Sequence, residues 1–374
     1  MRITILQGAF LPVPALRGGA IEKAWESLGQ EFSRNGHEVT HVSRLCDGLP
    51  KSEKIGKVSH FRVKGADAVR NPWILKLLEL PYVLRARKVL PLADVLVTHS
   101  FWAPLFLPRK RNGKLYLHVG RYPKGQVRLY RKASRFQVPS KAIARAVALE
   151  APHREKEISV LPYPLGWDLP MVRPLSDRPK RILYAGRLHP EKGVAELLDA
   201  FGRIHETKRT GWSLRIMGPW MQEHGGAGKG YLHSLRDKSA KIGPAVEIID
   251  PVFDEKDLLE QYGQTRVFAY PSLAEKGETF GLSALEAMSC GCVPLVSSLA
   301  CFSEFIDPPG SGFVFDHSSP GRVEALREAL VAIMQADQAG QLEPVSVQAR
   351  KIAERYELGK VASLYLDDFA ALSA

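Results

Sequence analysis

The chain of 374 residues has little cysteine, no long apolar run and few acidic residues in its first half. Its four cysteines form no paired Cys-x-x-Cys spacing, which argues against a zinc site and is typical of a reducing cytoplasm. No apolar stretch approaches about 18 residues, so the sequence predicts no transmembrane helix. Residues 1–10 predict a strand and lack the cleavage region of a signal peptide. We therefore expect a cytoplasmic globular protein.

Acidic residues are scarce in the first half only. Residues 1–170 hold 29 Lys and Arg against 13 Asp and Glu, whereas residues 171–374 hold 23 against 27. Because a basic half attracts negatively charged partners, we expect an acidic glycan, a membrane surface or nucleic acid to contact it. No nucleic-acid-binding motif is present, which disfavours the last of these. A dense basic zone consists of Arg109, Lys110, Arg111, Lys114, Arg121, Lys124, Arg128, Arg131, Lys132 and Arg135.

The stretch 265–297, TRVFAYPSLAEKGETFGLSALEAMSCGCVPLVS, carries the most information about function. Residues 266–270 and 293–297 are apolar and β-prone, which predicts two buried strands. Between them a polar loop leads into a predicted helix over 283–289. Such a loop lies where open α/β sheets bind ligands, and free backbone N–H groups at the helix start form an anion site.

Two glutamates flank this predicted anion site. Glu278 lies in the loop, and we expect Glu286 about two turns further along the same face. Carboxylates accept paired hydrogen bonds from vicinal hydroxyls, so the pair suits a sugar on one side of a diphosphate and a ribose on the other. The alternative is a glutamate that caps the helix and another on its solvated face.

The spacing Glu278-x7-Glu286, followed by Ala-Met-x-x-Gly and a proline at the next strand, resembles the signature of retaining glycosyltransferases of family 4, which have the GT-B fold. The resemblance implies that Glu278 binds the donor sugar and that Glu286 binds the ribose hydroxyls. Two residues separate Gly291 from that proline, where the family often has one. The resemblance also implies that the donor diphosphate is held by the backbone of Thr279, Phe280, Gly281 and Leu282.

A second motif, GRLHPEKG at residues 186–193, is similar to the G-R-L-x-x-E-K-G of the same family. The resemblance implies that Arg187 and Lys192 bind the donor diphosphate. Two cations in a loop between a strand and a helix would neutralise a departing diphosphate. The alternative is an ordinary loop with a surface lysine.

The first half resembles the family in two further places. Gly18 and Gly19 precede a helix predicted over 21–35, and the resemblance implies that they approach the donor phosphate; a flexible turn is the alternative. His118 ends a predicted strand as in the family's T-x-H, with Tyr116 in place of the threonine. This implies that His118 contacts the donor sugar near the reacting carbon, whereas we interpret His99 as structural.

The run at residues 71–90, NPWILKLLELPYVLRARKVL, is apolar with basic residues and an internal proline. We favour a pair of core-packing helices here. The alternative is a basic amphipathic segment that lies on an anionic membrane.

Together these features predict an α/β protein of GT-B fold. Two Rossmann-like, doubly wound domains face a central cleft, and a C-terminal helix crosses back to the first domain. We expect an acceptor-binding domain over 1–170, joined by about 358–374, and a nucleotide-sugar-binding domain over 171–357.

The predicted reaction is transfer of a sugar, with retention, from a nucleotide-diphosphate sugar to a hydroxyl of an anionic or lipid-linked glycan. A UDP-sugar is the first expectation for the donor and GDP-mannose the second, with no metal or other cofactor. The expected location is the cytoplasm, with peripheral contact to the inner face of the membrane through the basic domain, and no nucleic acid is expected. The alternatives are a non-catalytic nucleotide-sugar-binding subunit and an epimerase of the same fold.

Overall fold

The chain forms two units, the first made of Met1–Trp167 with Tyr356–Ala374 and the second of Asp168–Arg355. The computed structural model describes residues 1–16, 19–69, 71–108 and 113–373, without the side chains of Pro72 and Ser373. Four residues of the sequence predictions lie outside this described part, namely Gly18, Arg109, Lys110 and Arg111.

The first unit is built on a sheet of eight described strands, all paired in parallel except the third with the fourth. Ile5 and Leu6 are neighbours in the first strand and belong to different core clusters, because successive side chains point to opposite faces. Both faces of the sheet are therefore covered. The strands are β1 (Arg2–Leu6), β2 (Glu38–Leu45), β3 (Ser52–Ile55), β4 (Val58–Lys64), β5 (Val95–Thr98), β6 (Lys114–His118), β7 (Arg135–Val138) and β8 (Ile158–Val160), in the order β3-β4-β2-β1-β5-β6-β7-β8.

Four described helices of this unit precede the second unit. They are α1 (Ala20–Arg34), α2 (Pro72–Val89), α3 (Ala103–Phe106) and α4 (Lys141–Glu150). The first of them buries the predicted inner face of Trp25, Leu28 and Phe32.

The prediction of a helix pair over 71–90 is wrong, because α2 is one continuous helix. The side chain of Asn71 caps its start by accepting hydrogen bonds from the backbone N–H groups of Trp73 and Ile74. Pro81 lies inside the helix on its exposed side. A proline removes one backbone donor, and here the helix continues through it. The opposite face packs into the core through Tyr82, whose hydroxyl donates to the carbonyl of Gln7 at 3.0 Å.

The second unit has a six-stranded sheet in its described residues, and every pair is parallel. Its strands are β9 (Arg181–Ala185), β10 (Ser213–Met217), β11 (Val246–Ile249), β12 (Val267–Tyr270), β13 (Val293–Ser297) and β14 (Phe313–Phe315), in the order β11-β10-β9-β12-β13-β14. Its helices are α5 (Val194–Gly202), α6 (Lys229–Ile242), α7 (Glu255–Gly263), α8 (Leu282–Ser289), α9 (Arg322–Gln338) and α10 (Leu342–Ala353). The prediction of an α/β protein with two mainly parallel sheets is confirmed.

The chain returns to its first unit through α11 (Leu358–Ser373). Tyr365 and Phe369 on this helix are buried. The Tyr365 ring lies 5.2 Å from that of Trp25, and the Phe369 ring lies 4.8 Å from that of Tyr116. The last helix thus completes one side of the first unit's core.

Candidate functional site

The second unit brings Lys192 and Glu278 into direct contact, although 86 residues separate them in the chain. The Lys192 Nζ lies 2.6 Å from Oε2 of Glu278, and the two side chains are only 5% and 10% exposed. The same ammonium lies 5.4 Å from the ring centre of Tyr270. Burial, together with the charge of Glu278, holds the pKa of Tyr270 well above its usual range. The result is a buried ion pair that fixes the Glu278 carboxylate in one position.

This contact depends on a close approach of two loops at one edge of the sheet. Strands β9 and β12 are parallel neighbours, so the loops that follow them emerge side by side. Gly193 adopts a φ of +70°, and a Cβ atom there would lie 2.0 Å from the carbonyl oxygen of Pro271. The backbone N–H of Leu273 donates to the carbonyl of Glu191 at 2.8 Å. Glycine at position 193 therefore allows the loops to meet.

Arg187, the second predicted diphosphate ligand, lies in the loop after β9. Its guanidinium donates to the carbonyl of Gly225 at 2.8 Å and to Oε1 of Glu191 at 3.0 Å. The side chains of Arg187 and Glu191 are 40% and 37% exposed. The arginine is thus oriented by its neighbours and still reaches solvent, as a ligand for an incoming anion must.

Residues 279–282 lead from the loop into α8. Gly281 precedes the helix with a φ of +85°, and a Cβ atom on it would lie 2.4 Å from the ring of Phe302. Phe280 is buried and its ring lies 5.6 Å from that of Phe305. The side chain of Phe280 thus belongs to the core, which leaves its backbone as the part suited to an anion.

The two glutamates lie at different places relative to α8. Glu278 precedes α8, whereas Glu286 lies inside it and is half-buried. Lys192 holds the Glu278 carboxylate outside the helix. Burial raises the pKa of Tyr262, and the charge of Glu286 adds to this.

In the first unit, His118 is buried at the end of β6 in a chain of hydrogen bonds. Its Nδ1 contacts Oε1 of Gln137, whose Nε2 donates to the carbonyl of Leu161 at 2.7 Å. Its Nε2 lies 2.9 Å from the hydroxyl of Tyr163. Burial lowers the pKa of His118 to about 3, against the hydrogen bond to Gln137. The ring is therefore neutral at physiological pH and acts as a hydrogen-bonding group.

Glu22 lies in the same neighbourhood and was not identified from the sequence. Its Oε1 is 3.7 Å from Nε2 of His99, and the His99 ring centre is 6.4 Å from that of His118. Burial opposes the charge of Glu22, but the hydrogen bond and charge of His99 outweigh it and lower the Glu22 pKa. Gly19 has a φ of +108°, and a Cβ atom there would lie 2.4 Å from the Glu22 carboxylate.

A sequence signal for Glu22 existed. It is an acidic residue in the first turn of a helix, directly after the glycine pair that ends with Gly19. An acidic residue there is usually explained by the helix dipole alone. Only the fold shows that His99, at the end of β5, contacts Glu22.

The described residues contain no group of three or more His, Cys, Asp or Glu side chains placed to hold a metal ion. Three of the cysteines, Cys290, Cys292 and Cys301, are buried. Burial raises the pKa of Cys290 to about 12. That thiol is therefore a packing group and not a reactive one.

Residues 168–342 match the family model of glycosyl transferases group 1. The matched stretch lies within the second unit, which carries the ion pair and the arginine.

Two curated relatives are sugar transferases by name. One is the O-antigen chain mannosyltransferase B of Escherichia coli, 30% identical over 155 residues, which are 41% of this chain and 37% of the relative. The other is the lipopolysaccharide 1,2-N-acetylglucosaminetransferase of Salmonella typhimurium, 31% identical over 126 residues, which are 33% of this chain and 32% of the relative. The matched stretches thus span about a third of each relative's length.

Solved structures resemble the whole chain. Sucrose-phosphate synthase from Thermosynechococcus elongatus matches with a TM-score of 0.77 at 19% identity, over 99% of both chains. Anabaena HepE in complex with UDP matches with a TM-score of 0.70 at 17% identity, over 99% of this chain and 100% of HepE. The lipopolysaccharide outer core galactosyltransferase WaaB matches with a TM-score of 0.72 at 16% identity, over 99% of both chains. At these identities the likeness establishes the GT-B fold.

Proposed function

We propose that the protein is a retaining glycosyltransferase of family 4, which moves a sugar from a nucleotide-diphosphate sugar to a hydroxyl of a glycan or lipid-linked glycan. The observation that carries this proposal is the buried ion pair between Lys192 and Glu278. It lies where the loops after β9 and β12 meet, at the edge where parallel sheets bind ligands, and within the group 1 domain.

The donor diphosphate is held by cations and backbone dipoles. Arg187 keeps an exposed guanidinium beside Glu191, and the start of α8 supplies backbone N–H groups at residues 279–282. Both stabilise the negative charge that grows on the leaving diphosphate. Lys192 contributes a further positive charge next to Glu278. With this set of groups the reaction proceeds without a metal ion or another cofactor.

Glu278 positions the donor sugar and does not form a covalent bond to it. The ion pair with Lys192 lowers the nucleophilicity of its carboxylate. The same contact fixes its orientation, so it can accept paired hydrogen bonds from sugar hydroxyls. Glu286 accepts the ribose hydroxyls. In this mechanism the C–O bond to the diphosphate breaks while the acceptor oxygen attacks the anomeric carbon from the same face, and the leaving phosphate takes the proton of the acceptor hydroxyl. Attack on the face that the leaving group departs from gives retention.

His118 takes part as a neutral hydrogen-bonding group. Its low pKa excludes proton donation by an imidazolium at physiological pH. Gly19, next to Glu22, supplies a backbone free of side-chain bulk for the donor phosphate.

A UDP-sugar is the preferred donor and GDP-mannose the second choice. Structures of HepE with UDP and with UDP-glucose support the first, and the name of the mannosyltransferase relative supports mannose as the sugar. The names of the O-antigen and lipopolysaccharide relatives support a glycan acceptor. With such an acceptor, we expect the enzyme to act in the cytoplasm, at the inner face of the membrane.

The test uses the full chain and a panel of UDP-, GDP- and ADP-sugars in thermal-shift and nucleotide-release assays. A donor at about 100 times its dissociation constant stabilises the fold by about 2.7 kcal/mol. With the donor identified, Glu278→Gln should keep nucleotide binding and lose about 10²- to 10³-fold in turnover. Glu275→Gln, an exposed glutamate of the same loop, should retain full turnover.

Three outcomes would contradict the proposal. If Glu278→Gln turns over like the wild type, Glu278 does not position the sugar. Binding of a nucleotide sugar without hydrolysis or transfer identifies a non-catalytic binding subunit. Conversion of the sugar without any acceptor identifies an epimerase.

A further inference from the structure

Helix α2 carries large apolar side chains on its outward face. Trp73 is 73% exposed and Leu77 is 66% exposed, with Ile74 and Leu84 at 46% and 43%. Trp73, Leu77 and Leu84 are spaced by four and seven residues, so they form one stripe along the helix. The opposite face is fixed in the core, where Tyr82 is fully buried. This outward face, which we call the α2 face, is therefore a stable surface that the described part of the chain leaves uncovered.

The charges of the α2 face are all of one sign. Arg85, Arg87 and Lys88 are exposed near its C-terminal end. The single acidic residue of the helix, Glu79, is buried and accepts the backbone N–H of Phe101. The exposed part of α2 thus combines apolar groups with positive charges and presents no carboxylate.

The apolar surface continues beyond α2 onto α3. The Phe106 side chain is 40% exposed, and its ring lies 5.7 Å from that of Trp102. Arg87 links the two helices, because its Nη1 donates to the carbonyl of Phe106 at 3.5 Å. Lys76 lies 5.1 Å from the ring centre of Trp73, which places a cation over the exposed indole.

We propose that the α2 face docks the protein on an anionic lipid bilayer. Tryptophan and leucine side chains enter the boundary between headgroups and acyl chains, while the cations contact acidic headgroups. No helix in the described part of the chain is long and apolar enough to cross a membrane, so the contact is a peripheral one. A second copy of the chain fits this face less well, since the α2 face of that copy offers no exposed carboxylate to pair with the cations.

Docking through α2 rests on the proposed function and deepens it, since it brings the enzyme to the surface where lipid-linked acceptors reside. Vesicle binding is measured without sugar transfer. Failure of the docking and failure of the proposed reaction are therefore distinguishable.

The experiment is sedimentation of the full chain with two kinds of vesicle, one of phosphatidylcholine alone and one of equal parts phosphatidylcholine and phosphatidylglycerol. The wild-type chain should sediment with the anionic vesicles and remain in solution with the neutral ones. Trp73→Ser combined with Leu77→Ser should weaken this binding by about tenfold or more. Replacing Arg85, Arg87 and Lys88 by Gln should weaken it by about fivefold for each charge removed.

The matched control is Phe253→Ser with Val347→Ser, two exposed apolar residues of the second unit, which should bind like the wild type. Circular dichroism should show unchanged folding, because all the altered side chains are exposed. Equal binding by wild type and the Trp73/Leu77 variant would overturn the proposal. A dimer in light scattering that this variant converts to monomer, without vesicle binding, would overturn it in favour of a second copy.

Discussion

The contact between Lys192 and Glu278 joins two residues that the sequence assigns to different parts of the donor. Each motif predicts its residue, but neither motif contains the contact, because it requires the loops after β9 and β12 to meet. The buried pair gives Lys192 a second task, which is to keep the Glu278 carboxylate in place. Replacing either residue of the pair should therefore affect stability as well as catalysis.

We expect Lys192→Met to lower the free energy of unfolding of the second unit by about 3–5 kcal/mol, because it leaves the Glu278 carboxylate buried and unpaired. The double variant with Glu278→Gln should recover much of this loss, since no charge then remains buried. Urea denaturation of the single and double variants measures the coupling. Additive losses would show that the two side chains stabilise the fold independently.

Three buried histidines make the stability of the first unit depend on pH. Burial lowers the pKa of His41 and His118 to about 3 and that of His60 to about 4. The rings of His41 and His60 are stacked with centres 5.1 Å apart, on neighbouring strands. All three are neutral in the folded protein at neutral pH.

Below the ordinary histidine pKa, the unfolded chain binds protons that the folded chain does not. The free energy of unfolding should therefore be constant above about pH 6.5 and fall as the pH drops towards 3, by at most about 1.4 kcal/mol per pH unit for each histidine. Urea denaturation at pH 7 and pH 5 measures this slope. His41→Phe should reduce the slope, and an unchanged slope would mean that His41 does not contribute.

At the scale of single elements, the start of α8 shows how a glycine positions a site. Gly281 combines a φ of +85° with a close approach to the Phe302 ring, so a side chain at this position meets both strain and a clash. The sequence predicts the helix to within one residue, because the run after the loop is apolar and Gly291 ends it. It does not predict the contact with Phe302, which comes from a different loop.

Gly281→Ala should destabilise the second unit by more than the roughly 1–2 kcal/mol expected from backbone strain alone, and it should weaken nucleotide binding. Gly340→Ala is the matched control, since Gly340 has a φ of +71° and a Cβ atom there would meet nothing within 4 Å. Calorimetric titration with the donor nucleotide compares the affinities of the two variants, and urea denaturation compares their stabilities. Equal losses of stability and affinity in both variants would show that the clash with Phe302 is not the cause.

The periodicity of the α2 sequence does not predict which side of the helix is buried. The sequence is apolar on nearly every side, so the pattern does not tell which residues enter the core and which face outward. The internal proline suggested two helices, and the structure has one. The fold alone shows that Tyr82 is buried while Trp73 is exposed.

At the scale of the whole molecule, the sequence predicts the α/β class and the GT-B fold, and both are confirmed. Parallel strands buried on both faces leave short apolar runs between helices, a local pattern that a sequence displays directly. Long-range side-chain contacts leave no such pattern. For this reason Glu22, held by His99 across the first unit, was missed.

The last helix, α11, belongs to the first unit, although the whole second unit lies between them in the sequence. Its buried side chains should therefore stabilise the first unit. Phe369→Ala should lower the stability of the first unit by about 3–5 kcal/mol, because its ring packs against Tyr116 and Phe32. Leu364→Ala on the exposed side of the same helix should change it by no more than about 0.5 kcal/mol. Calorimetry of the wild type and both variants measures the effect as a lower unfolding midpoint for Phe369→Ala. Equal midpoints for Phe369→Ala and Leu364→Ala would contradict the expectation.

The return of α11 to the first unit also has a consequence for how such proteins diversify. The backbone N–H of Leu165 donates to the carbonyl of Tyr356 at 2.8 Å, so the points where the chain leaves the first unit and re-enters it are adjacent. The second unit is therefore an insert between two neighbouring junctions. Recombination at those two junctions could replace it as a single cassette, exchanging one half of the protein's chemistry while the other half keeps an intact core.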